Sequence, residues 1–176
     1  MQSNISKDLY NYGAVAGVLA IILQLGYYLS IDQFSLLGKV SEGFLIVVNF
    51  LVCFWSVVEL KKRKGGFATF KEVFSVFMIN RIINITLSVG FVVLLYFVID
   101  TDFRDLIVEK QYEMQYERLL NLNISEERIE NQLAIMSNWN AKNIKVYLAT
   151  WSGYIVVNAI ISLIVAAAMK KNNPEF

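Results

Sequence analysis

From Leu9 to Ile31 the chain runs for 23 residues without a charged side chain, and from Val146 to Met169 it runs for another 24. A helix rises about 1.5 Å per residue and the hydrocarbon core of a bilayer is about 30 Å thick, so either segment is long enough to cross one. Two further segments qualify. Gly43–Leu60 is shorter and ends against a run of cations, and Val73–Ile99 is interrupted only by Arg81. The expected fold is therefore all-α, a bundle of four transmembrane helices (about 9–31, 43–60, 73–99 and 146–169) in a single integral membrane domain spanning residues 1–176. The first segment is not expected to be a secretory signal, because its apolar core exceeds the usual length of about 7–15 residues and no A-x-A-like site follows it.

Composition agrees with a membrane protein and removes several chemistries. The chain has 56% hydrophobic and 18% charged residues, too apolar for an ordinary soluble domain of 176 residues. Its net charge of +1 gives no overall attraction for nucleic acid. Histidine is absent and Cys53 is the single cysteine, which removes the usual general base near neutral pH, thiolate or imidazole metal sites, and any internal disulfide. No nucleophile with a neighbouring base can be assembled, and no catalytic residue, metal or cofactor is expected.

The distribution of Lys and Arg sets an expected orientation. The stretch "ELKKRKGGFATFKEVF" (59–74) places Lys61, Lys62, Arg63, Lys64 and Lys71 between the second and third segments, and the fourth ends at Lys170 and Lys171. By the positive-inside rule both regions belong in the cytoplasm, and four spans return the N-terminus to that side. Lys61, Lys62, Arg63 and Lys64 are candidate contacts for anionic lipid, each attracted by about 1 kcal/mol near the surface. Gly65-Gly66 has the simpler role of ending the second helix. The links 32–42 and 100–145 then face outward.

That long outer link is too regular to be a loose tether. Phe103, Leu106, Ile107, Met114, Leu119 and Leu120 recur at mostly helical spacings over 102–122, and Ser125, followed by Glu126 and Glu127, is placed to cap a second helix carrying Ile129, Leu133 and Met136. An amphipathic helical hairpin between spans three and four is expected, either as a solvated cap or as a docking site for a partner. Trp139, Tyr147 and Trp151 stand where an interfacial aromatic belt would lie. The triplet Asn123-Ile124-Ser125 fits a glycosylation acceptor and matters only in a eukaryotic source. The carboxylate pair Asp102 and Asp105 reads as a solvated face.

Polar residues inside apolar helices are costly and mark the bundle interior. Asn80, Asn84 and Ser88 fall within about 100° of Arg81 around the third helix. Counting inward from the basic ends, Asn49, Asn84 and Asn158 each stand 11 residues deep, about 16 Å at 1.5 Å per residue. A shared polar layer of Asn49, Asn80, Arg81, Asn84 and Asn158 is thus expected. It acts either as hydrogen-bonding glue between helices or as the lining of a transport path or head-group pocket. Arg81 itself either snorkels to the basic side, pairing with Glu59 or Glu72, or sits buried and holds an anion. Small residues offer close packing at Gly13 and Gly17, beside Ala16 and Ala20, and in the last segment at Gly153, Ser162 and Ala166, within one chain or between two.

Several of these stretches resemble a family of small bacterial membrane proteins known as domain of unknown function 4199. The resemblance rests on "YGAVAG" opening the first span and "KKRKGGFATFKEVF" as the basic link. It continues with "YFVIDTDF" closing the third span, an acidic helical outer segment and a last span ending in Lys-Lys, and Thr101 stands where the pattern has proline. It covers nearly the whole chain. It implies a location in the bacterial cytoplasmic (inner) membrane and carries no assigned activity or site residues. The function expected from the sequence is a non-enzymatic membrane accessory or interaction protein, in contact with lipid and with a protein partner or a second copy. The alternative is a small oligomeric transporter or channel built on the polar layer. A lipid-modifying enzyme stands third.

Overall fold

The computed structural model describes residues 7–29, 36–122 and 124–172, and for residues 36–45 and 138 the backbone alone. Among the described residues six α-helices are delimited, in order α1 (Asn11–Leu29), α2 (Leu36–Arg63), α3 (Phe70–Leu94), α4 (Thr101–Asn121), α5 (Glu126–Asn138) and α6 (Ile144–Met169). A wider π-helical turn, Leu95–Ile99, extends α3. The described residues contain no strand. Three helical stretches are long and apolar enough to cross a membrane: Lys7–Leu29, Phe70–Ile99 and Ile144–Met169. The expected second span, 43–60, falls within α2, and its first three side chains lie outside the described residues. So do all side chains of the link 32–42, and Asn123 of the glycosylation triplet.

Local chemistry sets where the helices begin and end around the basic link. Gly65 and Gly66 take φ of 65° and 92°, the left-handed region that costs glycine nothing. In that conformation Gly66 N–H reaches the Lys61 carbonyl at 2.7 Å and Gly65 N–H the Lys62 carbonyl at 3.3 Å, the paired bonds of a Schellman ending. The glycine pair therefore does terminate α2. Three residues later Thr69 and Glu72 form a reciprocal capping box. Thr69 N–H donates to Glu72 Oε2 at 2.9 Å, and Glu72 N–H donates to Thr69 Oγ1 at 3.4 Å. At α5 the sequence expectation holds only in part: Ser125 occupies the cap position, but its hydroxyl makes no capping bond. Its carbonyl accepts from Arg128 and Ile129 instead. Asp100 caps α4, its side chain accepting from Phe103 N–H at 2.8 Å.

The contacts divide the chain into two compact units, Met1–Gly90 with Trp151–Phe176, and Phe91–Thr150. In the first, α1 packs along α2 and closely on α3. Gly13 is required there, since a Cβ at that position would stand 2.5 Å from the Asn80 carbonyl oxygen. Gly13, Ala16, Gly17 and Ala20 are all buried within the chain. The small-residue stripe is thus consumed by intramolecular packing. Ser162 and Ala166 are likewise buried on α6, whereas a Cβ at Gly153 would meet nothing within 4 Å, so that glycine serves no close approach among the described residues of the chain. Below them Leu9, Cys53, Val57, Val73, Phe77 and Ala166 close an apolar core, with Phe50 edge-on to Phe77 at 5.5 Å.

One end of this unit gathers three distant pieces of chain. Asp8 lies 3.9 Å from Arg63, and Ala68 and Lys171 exchange backbone hydrogen bonds at 3.0 and 2.9 Å. The start of the first apolar helix, the basic link and the end of α6 therefore lie together.

In the second unit α4 and α5 contact each other, and Phe103, Ile107, Val108, Leu119 and Ile129 are buried. Leu106, Met114 and Leu120, expected on the same apolar stripe, are exposed, so the buried face is narrower than the spacing suggests. Tyr96 meets Phe103 and Tyr147 edge-on at 5.8 and 6.2 Å, and the Arg104 guanidinium sits 5.4 Å from the Phe97 ring centre.

Candidate functional site

Helix α3 carries its polar side chains in two directions, and neighbouring residues meet opposite fates. Asn80 is fully buried against the start of α1. Its Oδ1 accepts from Gly13 N–H at 2.6 Å, and its amide nitrogen lies within 2.8 to 3.0 Å of Leu9 O, Val76 O and Ser56 Oγ. Two amide hydrogens shared among three acceptors leave no donor unused. Asn80 is a joint between α1, α2 and α3.

Arg81, the next residue, turns about 100° away. Its Nε donates to Asn158 Oδ1 on α6 at 2.6 Å. Neither acid proposed for it is available. Glu59 binds Arg63 at 2.9 Å, and Glu72 is taken by Lys64 and by the α3 cap. Arg81 thus points into the bundle rather than toward the basic end. Asn158 is held in turn, donating from Nδ2 to the Tyr154 carbonyl at 2.8 Å, while Ser162 Oγ donates to the Asn158 carbonyl at 2.6 Å.

A cavity of about 480 Å³ lies beside this pair, lined from α1, α2, α3 and α6. Its polar lining comprises Gln24, Asn49, Arg81, Asn84, Ser88, Tyr154 and Asn158. Four buried polar atoms on these lining residues have no hydrogen-bond partner among the described residues: Gln24 Oε1, Asn49 Oδ1, Arg81 Nη1 and Asn84 Nδ2. Leaving one such group unsatisfied costs about 1–3 kcal/mol, so four at one place call for an occupant or for water. Arg81 is the one charged residue among the described residues of the lining. The lining can bind, orient and neutralise a polar group. Its described residues carry no carboxylate, thiol or primary amine.

The structure therefore brings Asn49, Arg81, Asn84 and Asn158 around one space and leaves Asn80 outside it. It adds Gln24, which sequence reasoning passed over, and Ser88, placed near Arg81 around the third helix but not counted in the layer; Gln24 Nε2 donates to Ser88 Oγ at 2.8 Å. A signal for them was present: Gln24 and Ser88 each stand 15 residues in from the start of the first and third apolar segments. Counting depth for every polar residue, rather than for asparagines alone, finds them.

The basic link is less exposed in charge than its sequence implies. Arg63 is engaged by Glu59 and Asp8, and Lys64 by Glu72. Lys61 and Lys62 make no ion pair among the described residues, and Lys171 Nζ lies 5.2 Å from the Phe67 ring centre. Of the three expected belt aromatics, Trp139 is exposed, Tyr147 packs against Tyr96 and Phe97, and Trp151 Nε1 donates to Thr86 Oγ1 at 3.1 Å.

Compared with known proteins, residues 11–171 match a family model described as "Protein of unknown function (DUF4199)". No curated protein and no solved structure matches the chain.

Proposed function

Because the chain belongs to the DUF4199 family of proteins of unknown function, its role has to be argued from its own residues, and we propose a non-enzymatic, four-span membrane protein that binds a polar group inside its helix bundle. The observation that carries this reading is the convergence of four unpartnered, buried polar atoms from α1, α2 and α3 on one cavity. It favours a bundle-centred role, binding or passage, over an accessory role centred on the outer helices, whose exposed apolar residues have no comparable focus.

The four-span topology has independent support. Three long apolar helical stretches among the described residues and the meeting of Asp8, Arg63, Ala68 and Lys171 at one end support a reading in which α2 carries the chain back across whatever thickness α1 crosses. Since Lys61, Lys62, Arg63, Lys64, Lys170 and Lys171 share that end, the positive-inside rule puts it, and both termini, in the cytoplasm of a bacterial cell, with 100–145 as an outer helical hairpin. Lys61 and Lys62, which form no ion pair among the described residues, are the cations best placed to meet anionic lipid.

Cysteine labelling tests the cavity directly. In a Cys53→Ser background, Asn84→Cys reacts with a small neutral methanethiosulfonate reagent, whereas Asn80→Cys, one helical turn away in a filled joint, does not. Equal protection of both positions in the folded protein would sink the reading.

A further inference from the structure

The three lining residues of the cavity that are more than half exposed are Ile46 (67%), Tyr154 (52%) and Val157 (52%), and they come from α2 and α6. The cavity therefore opens sideways, between two helices of the bundle, through an apolar rim. In a bilayer that rim faces hydrocarbon chains. The floor is its chemical opposite, since Arg81 Nη1 and Asn84 Nδ2 present donors while Asn49 Oδ1 and Gln24 Oε1 present acceptors. A guanidinium buried among apolar helices is expensive without a counter-charge, and the described lining contains no carboxylate to supply one.

Resting on the binding function proposed above, we infer that the occupant is the head group of an anionic lipid, a single oxyanion accompanied by hydroxyls, entering laterally between α2 and α6. One negative charge matches the one cation. A phosphodiester oxygen can take the spare Arg81 N–H and the Asn84 amide, as arginine favours with oxyanions. Head-group hydroxyls can donate to the acceptors on Asn49 and Gln24. The remaining walls, Ala20, Ile85, Val89 and Ile161, are apolar and suit the proximal part of a chain rather than hydrated solute. The volume, about 480 Å³, lies within the range of roughly 300–1,000 Å³ typical of small-ligand sites. The same head chemistry exists free in water, so the source has to be separated from the chemistry.

The test uses the full chain purified in an uncharged detergent, with bound species counted by native mass spectrometry against three probes: dioleoylphosphatidylglycerol, dioleoylphosphatidylcholine and glycerophosphoglycerol. One phosphatidylglycerol should bind at least tenfold more tightly than phosphatidylcholine, and glycerophosphoglycerol should not bind. Arg81→Gln should weaken the phosphatidylglycerol complex at least tenfold. Val157→Trp, a substitution on the exposed rim that leaves the polar floor intact, should weaken it as well. The same comparison in a Lys61→Gln, Lys62→Gln background removes attraction to the basic end, and the loss caused by Arg81→Gln should persist there. Equal binding of the two lipids, insensitivity to both Arg81→Gln and Val157→Trp, or an Arg81→Gln effect that vanishes in the lysine background would each overturn the inference. Binding of glycerophosphoglycerol would replace the lipid by a soluble ligand and overturn its lateral origin. If Asn84→Cys is labelled yet phosphatidylglycerol does not bind, the cavity stands as a site and only the identity of its occupant fails.

Discussion

Asn80 and Arg81 are adjacent on α3, both polar, both within apolar sequence, yet one sits in a saturated joint and the other beside an unsatisfied space. Around Asn80 every donor and acceptor is used, and Gly13 lets α1 approach until its backbone bonds the amide directly. Around Arg81 one bond reaches Asn158, and four polar atoms are left without partners around a cavity. A saturated buried network fixes how helices pack, whereas a half-satisfied one is costly to keep and points to something the fold accommodates. Polarity inside an apolar helix is thus not a single signal, and satisfaction separates its two meanings.

The sharpest way to break this contrast is at the joint. Asn80→Ala removes a partner from Gly13 N–H, Leu9 O and Ser56 Oγ in one step; Gly13 N–H keeps the Tyr10 carbonyl and Ser56 Oγ the Cys53 carbonyl, so the fold should lose about 1–3 kcal/mol, the cost of a single unsatisfied buried group. Reversible unfolding in mixed micelles, compared with wild type, measures it. A loss below about 0.6 kcal/mol, the average for a single interhelical hydrogen bond in a membrane, would show that Asn80 is ordinary glue.

The cavity should respond in the opposite sense. Asn84→Leu removes a donor that has no partner and puts apolar volume into the space, so stability should stay within about 1 kcal/mol of wild type or rise. The same unfolding measurement applies. A loss comparable to that of Asn80→Ala would mean that Asn84 is satisfied in the folded protein, and the distinction between joint and cavity would collapse.

The sequence made the layers of this bundle legible but not their rotation. Charge-free length located the apolar helices, and depth counting put Asn49, Asn84 and Asn158 at one level, where three helices do converge. The Gly65-Gly66 ending of α2 also follows from residue chemistry alone, and the Thr69–Glu72 capping box was readable in "TFKE" though easily passed over. What could not be read is which side of α3 each neighbour covers. That depends on the close approach of α1 at Gly13, which turns Asn80 inward to one partner and leaves Arg81 to another. The choice of Asn158 over Glu59 or Glu72 follows from competition: both acids already serve nearer partners, Arg63 in one case, and Lys64 with the Thr69 backbone in the other. Pairing by sequence distance does not register that competition.

Polar contacts outside the apolar helices give the lower bound for the comparison. Asp105 accepts from Arg104 at 2.8 Å and from Lys142 at 3.2 Å. Those bonds, Arg104 first, hold its carboxyl below the ordinary value. A carboxylate depressed in the folded state stabilises it above the ordinary carboxyl value of about 3.9, and that contribution disappears as pH falls through the depressed value. Asp105 is open to solvent, so screening leaves little to lose. Asp105→Asn should therefore lower the melting temperature only slightly at pH 7, much less than Asn80→Ala does, with the two curves converging below pH of about 4 or in about 1 M salt. If instead Asp105→Asn destabilised the protein as much as Asn80→Ala, exposure would not be what weakens polar contacts here. The rule that separates joint from cavity, burial combined with satisfaction, would then need another variable.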